Sequence, residues 1–303
     1  MLEIRAFYAK VLTTWGFVVR HKGTSAAQPS YPVPIPTTVV GAFGYPLLRL
    51  LEIPVSTGKK IKWGDGVLIT EPMKALLEST LAASAGFTSS LNKTPGRFVK
   101  TGLAVYQEPN RIIAAPYRTG GQMGRIRKAR PFSPEFIGAI QLILPVQAVG
   151  ATYAPYITLE LLWVVDAKKL AKELGVSLEK LDSIAQKAVY GVVRVGSKES
   201  LVALKDARYV KDIKVYRAGE RVKTRLYVPS SCAERVIGTA EELIIPDLEY
   251  KPSNFYIPAE IASSNLIIPL HEDAPPPEFK VLYPCVAYSI DNGIAGVGVT
   301  YER

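Results

Sequence analysis

Apolar, aromatic and β-branched residues alternate with polar ones from Leu2 to Val19, with Ile4, Phe7, Tyr8, Val11, Trp15 and Phe17 among them. A period of two over that length predicts an opening strand or hairpin. A polar loop, His21-Lys22-Gly23-Thr24-Ser25, and a proline-punctuated run from Tyr31 to Pro36 follow. Thr37 and Thr38 then stand where they would cap a helix over 39–51, whose interior (Val40, Phe43, Leu47, Leu51) is apolar. Pro54 and Gly58 are expected to end it.

Residues 61–69 predict one further strand, and 71–83 a short helix behind Pro72. The stretch 91–130 has no period and sets Gly102, Gly120, Gly121 and Gly124 among arginines. It reads as an exposed hairpin or long loop, and long loops inside domains usually carry function. Residues 137–144 and 157–165 are continuous apolar runs of buried-strand length. A helical pattern over 167–189 breaks at Gly175-Val176-Ser177, with Ser177 placed as a second cap. Strands at 192–195 and 201–204 flank Gly196-Ser197-Lys198-Glu199, and short strands separated by prolines follow from Val210.

Strand, helix, strand, then strand, helix, strand is the order of an α+β, ferredoxin-like (RRM-type) unit. The expected organisation is a core over 1–209 carrying a basic insertion at about 86–132, then a mostly-β region over 210–303.

Charge adds a partner to this picture. The chain of 303 residues carries 37 Lys and Arg against 27 Asp and Glu. Up to Arg225 there are 33 basic and 16 acidic residues, and from Leu226 onward 4 basic and 11 acidic. Between Lys93 and Arg130, nine basic residues meet only Glu108. A basic body favours a polyanion, and the acidic portion is expected to face protein.

Several chemistries are struck off. Ser56-Thr57-Gly58-Lys59-Lys60 lacks the glycine and hydroxyl that a phosphate loop requires. Gly293-x-x-Gly296-x-Gly298 reverses the dinucleotide spacing. The two histidines and two cysteines have no metal-ligand spacing, so neither metal nor cofactor is expected. Whether Cys232 and Cys285 pair stays open; a reducing cytoplasm is the default location. No signal peptide is expected, since Arg5 and Lys10 interrupt the first apolar run, and the uncharged stretch 136–159 is broken by Pro145, Pro155, Gln141 and Gln147, which fits buried strands better than a membrane span.

Binding chemistry is better represented. Arg118, Gln122, Met123, Arg125, Arg127, Lys128 and Arg130 lie in one glycine-rich segment. Its glycines let backbone approach a phosphodiester, its arginines neutralise and stack, and Met123 could wedge between bases. Gly196, Ser197 and Lys198 could present an N–H and an ammonium to phosphate. If the insertion is only a solvated face, the RNA path runs along Arg20, Lys22, Arg194 and Lys198. Tyr8, Trp15 and Phe17 could stack bases, although core packing suits at least two of them better. His21 beside Lys22 and near Tyr31 admits an alternative, metal-independent RNA cleavage with His21 as base. A general RNA-binding protein is a third reading.

The blocks Gly16-Phe-Val-Val-Arg20, Thr24-Ser25, Tyr31-Pro-Val-Pro-Ile-Pro-Thr37-Thr38-Val-Val-Gly41-Ala-Phe-Gly44 and Val195-Gly196-Ser197-Lys198-Glu199-Ser200 resemble the fifth CRISPR-associated protein family. That family is the RAMP subunit that caps the 5′ handle of crRNA in type I Cascade. The resemblance implies a ferredoxin-like RAMP core, a β-hairpin thumb in the basic insertion and a non-catalytic role. It implies crRNA, the backbone subunit of the seventh family and the large subunit as partners, with target DNA near the PAM-proximal end as a further one. RNA contacts are expected at Arg20, His21, Lys22, Thr37, Thr38 and the 194–198 turn. High Pro and Tyr with few His and Cys suit a thermophilic archaeal type I-A system.

Overall fold

The computed structural model describes residues 2–21, 27–55, 59–90, 105–114, 146–197, 199–263 and 266–299; of 27–28, 106–114, 146–149 and 299 it describes the backbone alone. The N-terminal elements are β1 (Ile4–Thr13), β2 (Gly16–Phe17), β3 (Ala27–Gln28), α1 (Pro36–Leu50), β4 (Lys60–Trp63), β5 (Val67–Thr70), α2 (Glu71–Glu78) and β6 (Thr80–Ser89). Then come β7 (Val105–Ala114), β8 (Val146–Tyr153), β9 (Thr158–Asp166), α3 (Ala167–Glu173), α4 (Leu178–Ala188) and β10 (Val202–Val210). The rest is all strand: β11 (Lys214–Tyr216), β12 (Arg221–Lys223), β13 (Val228–Pro229), β14 (Ala233–Ile237), β15 (Glu241–Pro246), β16 (Pro252–Ile257), β17 (Ala259–Ser263), β18 (Leu266–His271), β19 (Glu278–Val281), β20 (Cys285–Asp291) and β21 (Ile294–Val299).

Four strands in the order β10-β1-β9-β6, each antiparallel to its neighbours, form the middle of the molecule. Helix α1 lies between β1 and β6 in the chain, and α3 and α4 between β9 and β10. The sheet continues from β6 through β18, β7 and β8 to β2. Within this α+β sheet, β1, β9 and β6 are buried on both faces. Phe7, Val11, Leu159, Leu161 and Trp163 join the helices on one side. Ala6, Tyr8, Leu162 and Val164 meet Val286, Tyr288 and Ile294 of β20 and β21 on the other. Burial of both faces explains why β9 reads as an unbroken apolar run. Trp163 sits at its centre, 4.7 Å from Phe7 ring to ring, with its indole N–H donating to Thr80 Oγ1 at 2.8 Å.

Several local expectations need correction. Helix α1 begins at Pro36, with Ile35 as its N-cap and no side-chain cap, so Thr37 and Thr38 lie inside its first turn. Proline's fixed φ and missing N–H suit that first position and start the helix early. The strand expected at 61–69 is the β4–β5 hairpin, turned at Gly64-Asp65-Gly66. Helix α2 stops at Glu78, and 80–83 belong to β6. β1 and β2 form no hairpin with each other; β2 pairs with β8. Residues 192–195 touch the chain that follows through one bridge, Arg194 to Leu201, and form no strand. Within the segment expected as an exposed hairpin or long loop, 105–114 form β7, which pairs antiparallel with β8. The expected strand at 137–144 lies outside the described residues.

Other features follow the local code. Ser177 Oγ accepts from Lys180 N at 3.2 Å, and Asp166 caps α3 in the same way. The C-terminal strands form three small sheets, β11-β20-β21, β12-β19-β14 and β13-β16-β15, while β17 and β18 return to the large sheet. Cys232 and Cys285 form a disulfide across 53 residues. Closing a loop of that size removes about 4 kcal/mol of unfolded-chain entropy.

One polar cluster ties α4 to the sheet. Asp182 accepts from Tyr209 OH, from Lys211 Nζ at 2.6 Å and from Arg5 Nε at 3.3 Å. Burial alone would raise the carboxyl pKa; the bonds from Lys211, Tyr209 and Arg5 outweigh it and hold it below the usual value. A depressed carboxyl pKa gives stability that is present above its unfolded value, about 3.9, and is lost as pH falls through the folded value. Asp182→Asn should therefore lower unfolding free energy at neutral pH by about 2 kcal/mol. Denaturant melts across pH should show a shallower acid-side loss in this variant than in wild type.

Candidate functional site

Leaving β2, residues Val18 to Arg20 run between two buried hydroxyls. Val18 N donates to Ser200 Oγ at 2.9 Å, and Val19 N donates to Ser30 Oγ at 3.0 Å. Ser197 N returns a bond to Val18 O at 2.9 Å, and Tyr31 N one to Val19 O at 2.7 Å. The turn around Gly196 is thereby stitched to the strand exit. Gly196 has φ +97°, and a Cβ there would stand 2.5 Å from Val18 O. Only glycine meets both demands.

Between this turn and α1 lies a groove of about 740 Å³. Arg20, Arg194, Gly196, Ser197 and Glu199 line one wall; Thr38, Gly41, Ala42 and Tyr45 of α1 line the other; Val55 and Tyr250 border it. The Arg194 guanidinium lies 5.2 Å from the Tyr45 ring centre. Neither Arg20 nor Arg194 makes a salt bridge among the described residues, whereas the Glu199 carboxylate accepts from Ser197 Oγ. Two guanidiniums and a turn at Gly196, facing an aromatic ring, suit a phosphodiester with an unpaired base.

Of the residues expected from sequence, Arg20, Thr38, Arg194, Gly196 and Ser197 meet in this groove. Thr37 does not line it and is buried in the first turn of α1. His21 does not line it either. Its ring stacks on Tyr31 at 3.6 Å, and burial lowers its pKa from the usual histidine value. Lys22, Arg118, Gln122, Met123, Arg125, Arg127, Lys128, Arg130 and Lys198 lie outside the described residues. Tyr8 and Phe17 are core residues, as their packing role required, and Trp15 is half-buried at the surface.

Sequence reasoning missed Tyr45 and Tyr250. Thr38, Gly41 and Tyr45 repeat at i, i+3 and i+7, which places a polar and small-residue stripe on one face of an otherwise apolar helix. That stripe was the available signal. Tyr250 had none, since it arrives from the acidic portion through the turn between β15 and β16. The same turn is anchored by Trp63 Nε1 donating to Leu248 O at 2.8 Å. Among the described residues no group of three or more His, Cys, Asp or Glu side chains could hold a metal ion, and no helix is long and apolar enough to cross a membrane.

This geometry can be set beside known proteins. A crystal structure of a CRISPR protein from Archaeoglobus fulgidus matches over 98% of this chain and 99% of that one, at 17% identity and a TM-score of 0.51. The chain has the fold of a CRISPR protein. A chain of a CRISPR RNA-guided surveillance complex matches at 7% identity and TM-score 0.29, covering 75% of this chain and 69% of that one. A chain of the Type III-B Cmr-beta complex bound to cognate target RNA and AMPPnP matches at 12% identity and TM-score 0.35, covering 91% and 86%. Only the first is close enough to speak to the fold. No family model and no curated protein matches the chain.

Two groove glycines should respond oppositely to the same substitution. Gly196→Ala places a methyl against Val18 O at a left-handed φ, and should cost about 1–3 kcal/mol. At Gly41 a Cβ meets nothing within 4 Å, so Gly41→Ala should stabilise α1 by about 0.5–1 kcal/mol. Thermal unfolding of the two variants checks this; equal shifts would show that the Gly196 turn is not held as described.

Proposed function

We propose that this chain is a non-catalytic crRNA-binding subunit of a CRISPR effector complex, holding the 5′ handle of crRNA in the groove between α1 and the Gly196 turn. The observation that carries this reading is convergence. Arg20, Thr38, Arg194, Gly196 and Ser197 come from two blocks far apart in sequence, and they line one cavity. The β10-β1-β9-β6 order with helices after β1 and β9 supports a ferredoxin-like RAMP core. Likeness in fold to the Archaeoglobus protein supports the CRISPR assignment.

On this reading the chain is the family-five subunit of a type I Cascade in the cytoplasm. It contacts the backbone subunit, the large subunit and target DNA near the PAM-proximal end, and needs no cofactor. The Cys232–Cys285 bond fits the intracellular disulfides of hyperthermophiles, in keeping with an archaeal type I-A system. The basic insertion acts as a thumb along the RNA, and the acidic surface from Leu226 faces neighbouring subunits. Binding is electrostatic first: the two groove guanidiniums pair with phosphates and release counterions.

Sequencing RNA that co-purifies with the chain should give crRNA with a uniform 5′ end. Heterogeneous cellular RNA would support a general RNA-binding protein instead. In titrations with single-stranded RNA, Arg20→Ala combined with Arg194→Ala should flatten the plot of log affinity against log salt by about 1.4, at 0.7 per phosphate contact. Replacing Arg125, Arg127 and Arg130 by Ala should flatten it by roughly two. A wild-type slope in the groove variant would remove the groove from the RNA path. His21→Ala should leave RNA processing unchanged; loss of mature crRNA with folding intact would turn the assignment toward an enzyme.

A further inference from the structure

Three aromatic residues stand at this end of the sheet: Trp15 on the loop joining β1 to β2, Tyr153 at the end of β8, and Tyr156 on the turn joining β8 to β9. Trp15 and Tyr153 lie with ring centres 5.9 Å apart, edge to face. Tyr156 stands on the adjoining turn and is 67% exposed.

That turn is unusual in its chemistry. Ile157 N donates to Ala154 O across Pro155 and Tyr156, and Tyr156 has φ +56°. A β-turn with Pro second and a positive φ third is type II, whose third position asks for glycine or asparagine. A tyrosine there is strained, and such strain persists only where the surroundings over-determine it. They do so here. Tyr156 N donates to Thr13 O at 3.1 Å, Ala154 N to Trp15 O at 2.9 Å, and Thr13 N to Ile157 O at 2.9 Å. Thr13 Oγ1, fully buried, also donates to Ile157 O at 2.9 Å. A large ring is thus held in solvent by a backbone conformation that disfavours it. Packing cannot be the reason for it, since most of the side chain is in water.

The platform is joined to the groove wall. Trp15 Nε1 donates to Glu199 O at 3.0 Å, and Thr14 Oγ1 to Leu201 O at 3.3 Å, so the β1–β2 loop is bonded to the segment whose Glu199 lines the groove. The groove offers guanidiniums, and the neighbouring turn offers the exposed Tyr156 ring, with Trp15 and Tyr153 half-buried. A single strand of nucleic acid needs both, because every nucleotide carries a phosphate and a π-face.

We propose that Tyr156, with Trp15 and Tyr153, is a stacking platform for an unpaired base of single-stranded RNA whose neighbouring phosphates lie in the Arg20–Arg194 groove. This assignment rests on the RNA-binding reading above and adds to it a second, uncharged subsite. Two probes separate the subsites: a short fluorescein-labelled oligouridine, and the abasic ribose-phosphate chain of the same length. Tyr156→Asn suits the left-handed backbone and removes the ring; Tyr156→Phe keeps the ring.

Anisotropy titrations with the full chain should show Tyr156→Asn binding oligouridine about 5- to 150-fold more weakly, with the wild-type salt slope. Its affinity for the abasic chain should be unchanged, its melting temperature equal or higher, and Tyr156→Phe should bind as wild type does. Unchanged oligouridine affinity in Tyr156→Asn would overturn the platform and leave the groove reading intact. An equal loss on both probes would also overturn it, because stacking cannot weaken a chain without bases. A wild-type protein that binds neither probe would remove the RNA-binding reading, and the platform with it.

Discussion

The candidate site depends on three residues, Val18 to Arg20, being held in one path. Their backbone is tied to Ser200 and Ser197 on one side and to Ser30 and Tyr31 on the other. Ser30 and Ser200 are fully buried, so each of these bonds replaces water that cannot enter. A buried amide left without a partner costs about 1–3 kcal/mol, which makes the arrangement close to all-or-none. Arg20 reaches the groove because this run is fixed. The Gly196 turn can approach because it has no Cβ, and Arg194 follows from where that turn begins.

The clamp stands on a sheet with no exposed face at its centre. Helices cover one side of the β10-β1-β9-β6 strands, and β20 and β21 cover the other. The groove and the Pro155–Tyr156 turn both sit at strand ends of this sheet, after β2 and before β9. The C-terminal strands therefore do two jobs: they close the second apolar face, and the β15–β16 turn brings Tyr250 to the groove edge.

What the sequence disclosed was mainly local. The break at Gly175 and the Ser177 cap are legible because capping is settled within one turn. Strand β9 is legible because burial on both faces leaves no polar alternation. The β4–β5 hairpin was readable in principle from Asp65-Gly66, a hairpin dipeptide, but the apolar residues on either side merged into one apparent strand. Insertion of β18 beside β6 was not readable, since its pairing partner lies far upstream and the contact spans only Leu270 with Thr88 and His271 with Ser89. At the site, Arg20 and the Gly196 turn were visible through their motifs. Tyr45 left a helical stripe that could have been counted. Tyr250 and the strained Tyr156 became visible only with the fold, because one depends on a distant turn and the other on a φ angle.

The central claim is that RNA lies along this groove and not merely along the basic insertion. Photocrosslinking of 4-thiouridine RNA to the purified chain, read by mass spectrometry, addresses it directly. The account predicts crosslinked peptides containing Tyr45, Tyr250 and the stretch from Arg20 to Tyr31. Crosslinks confined to residues 93–130, with none at the groove, would contradict it.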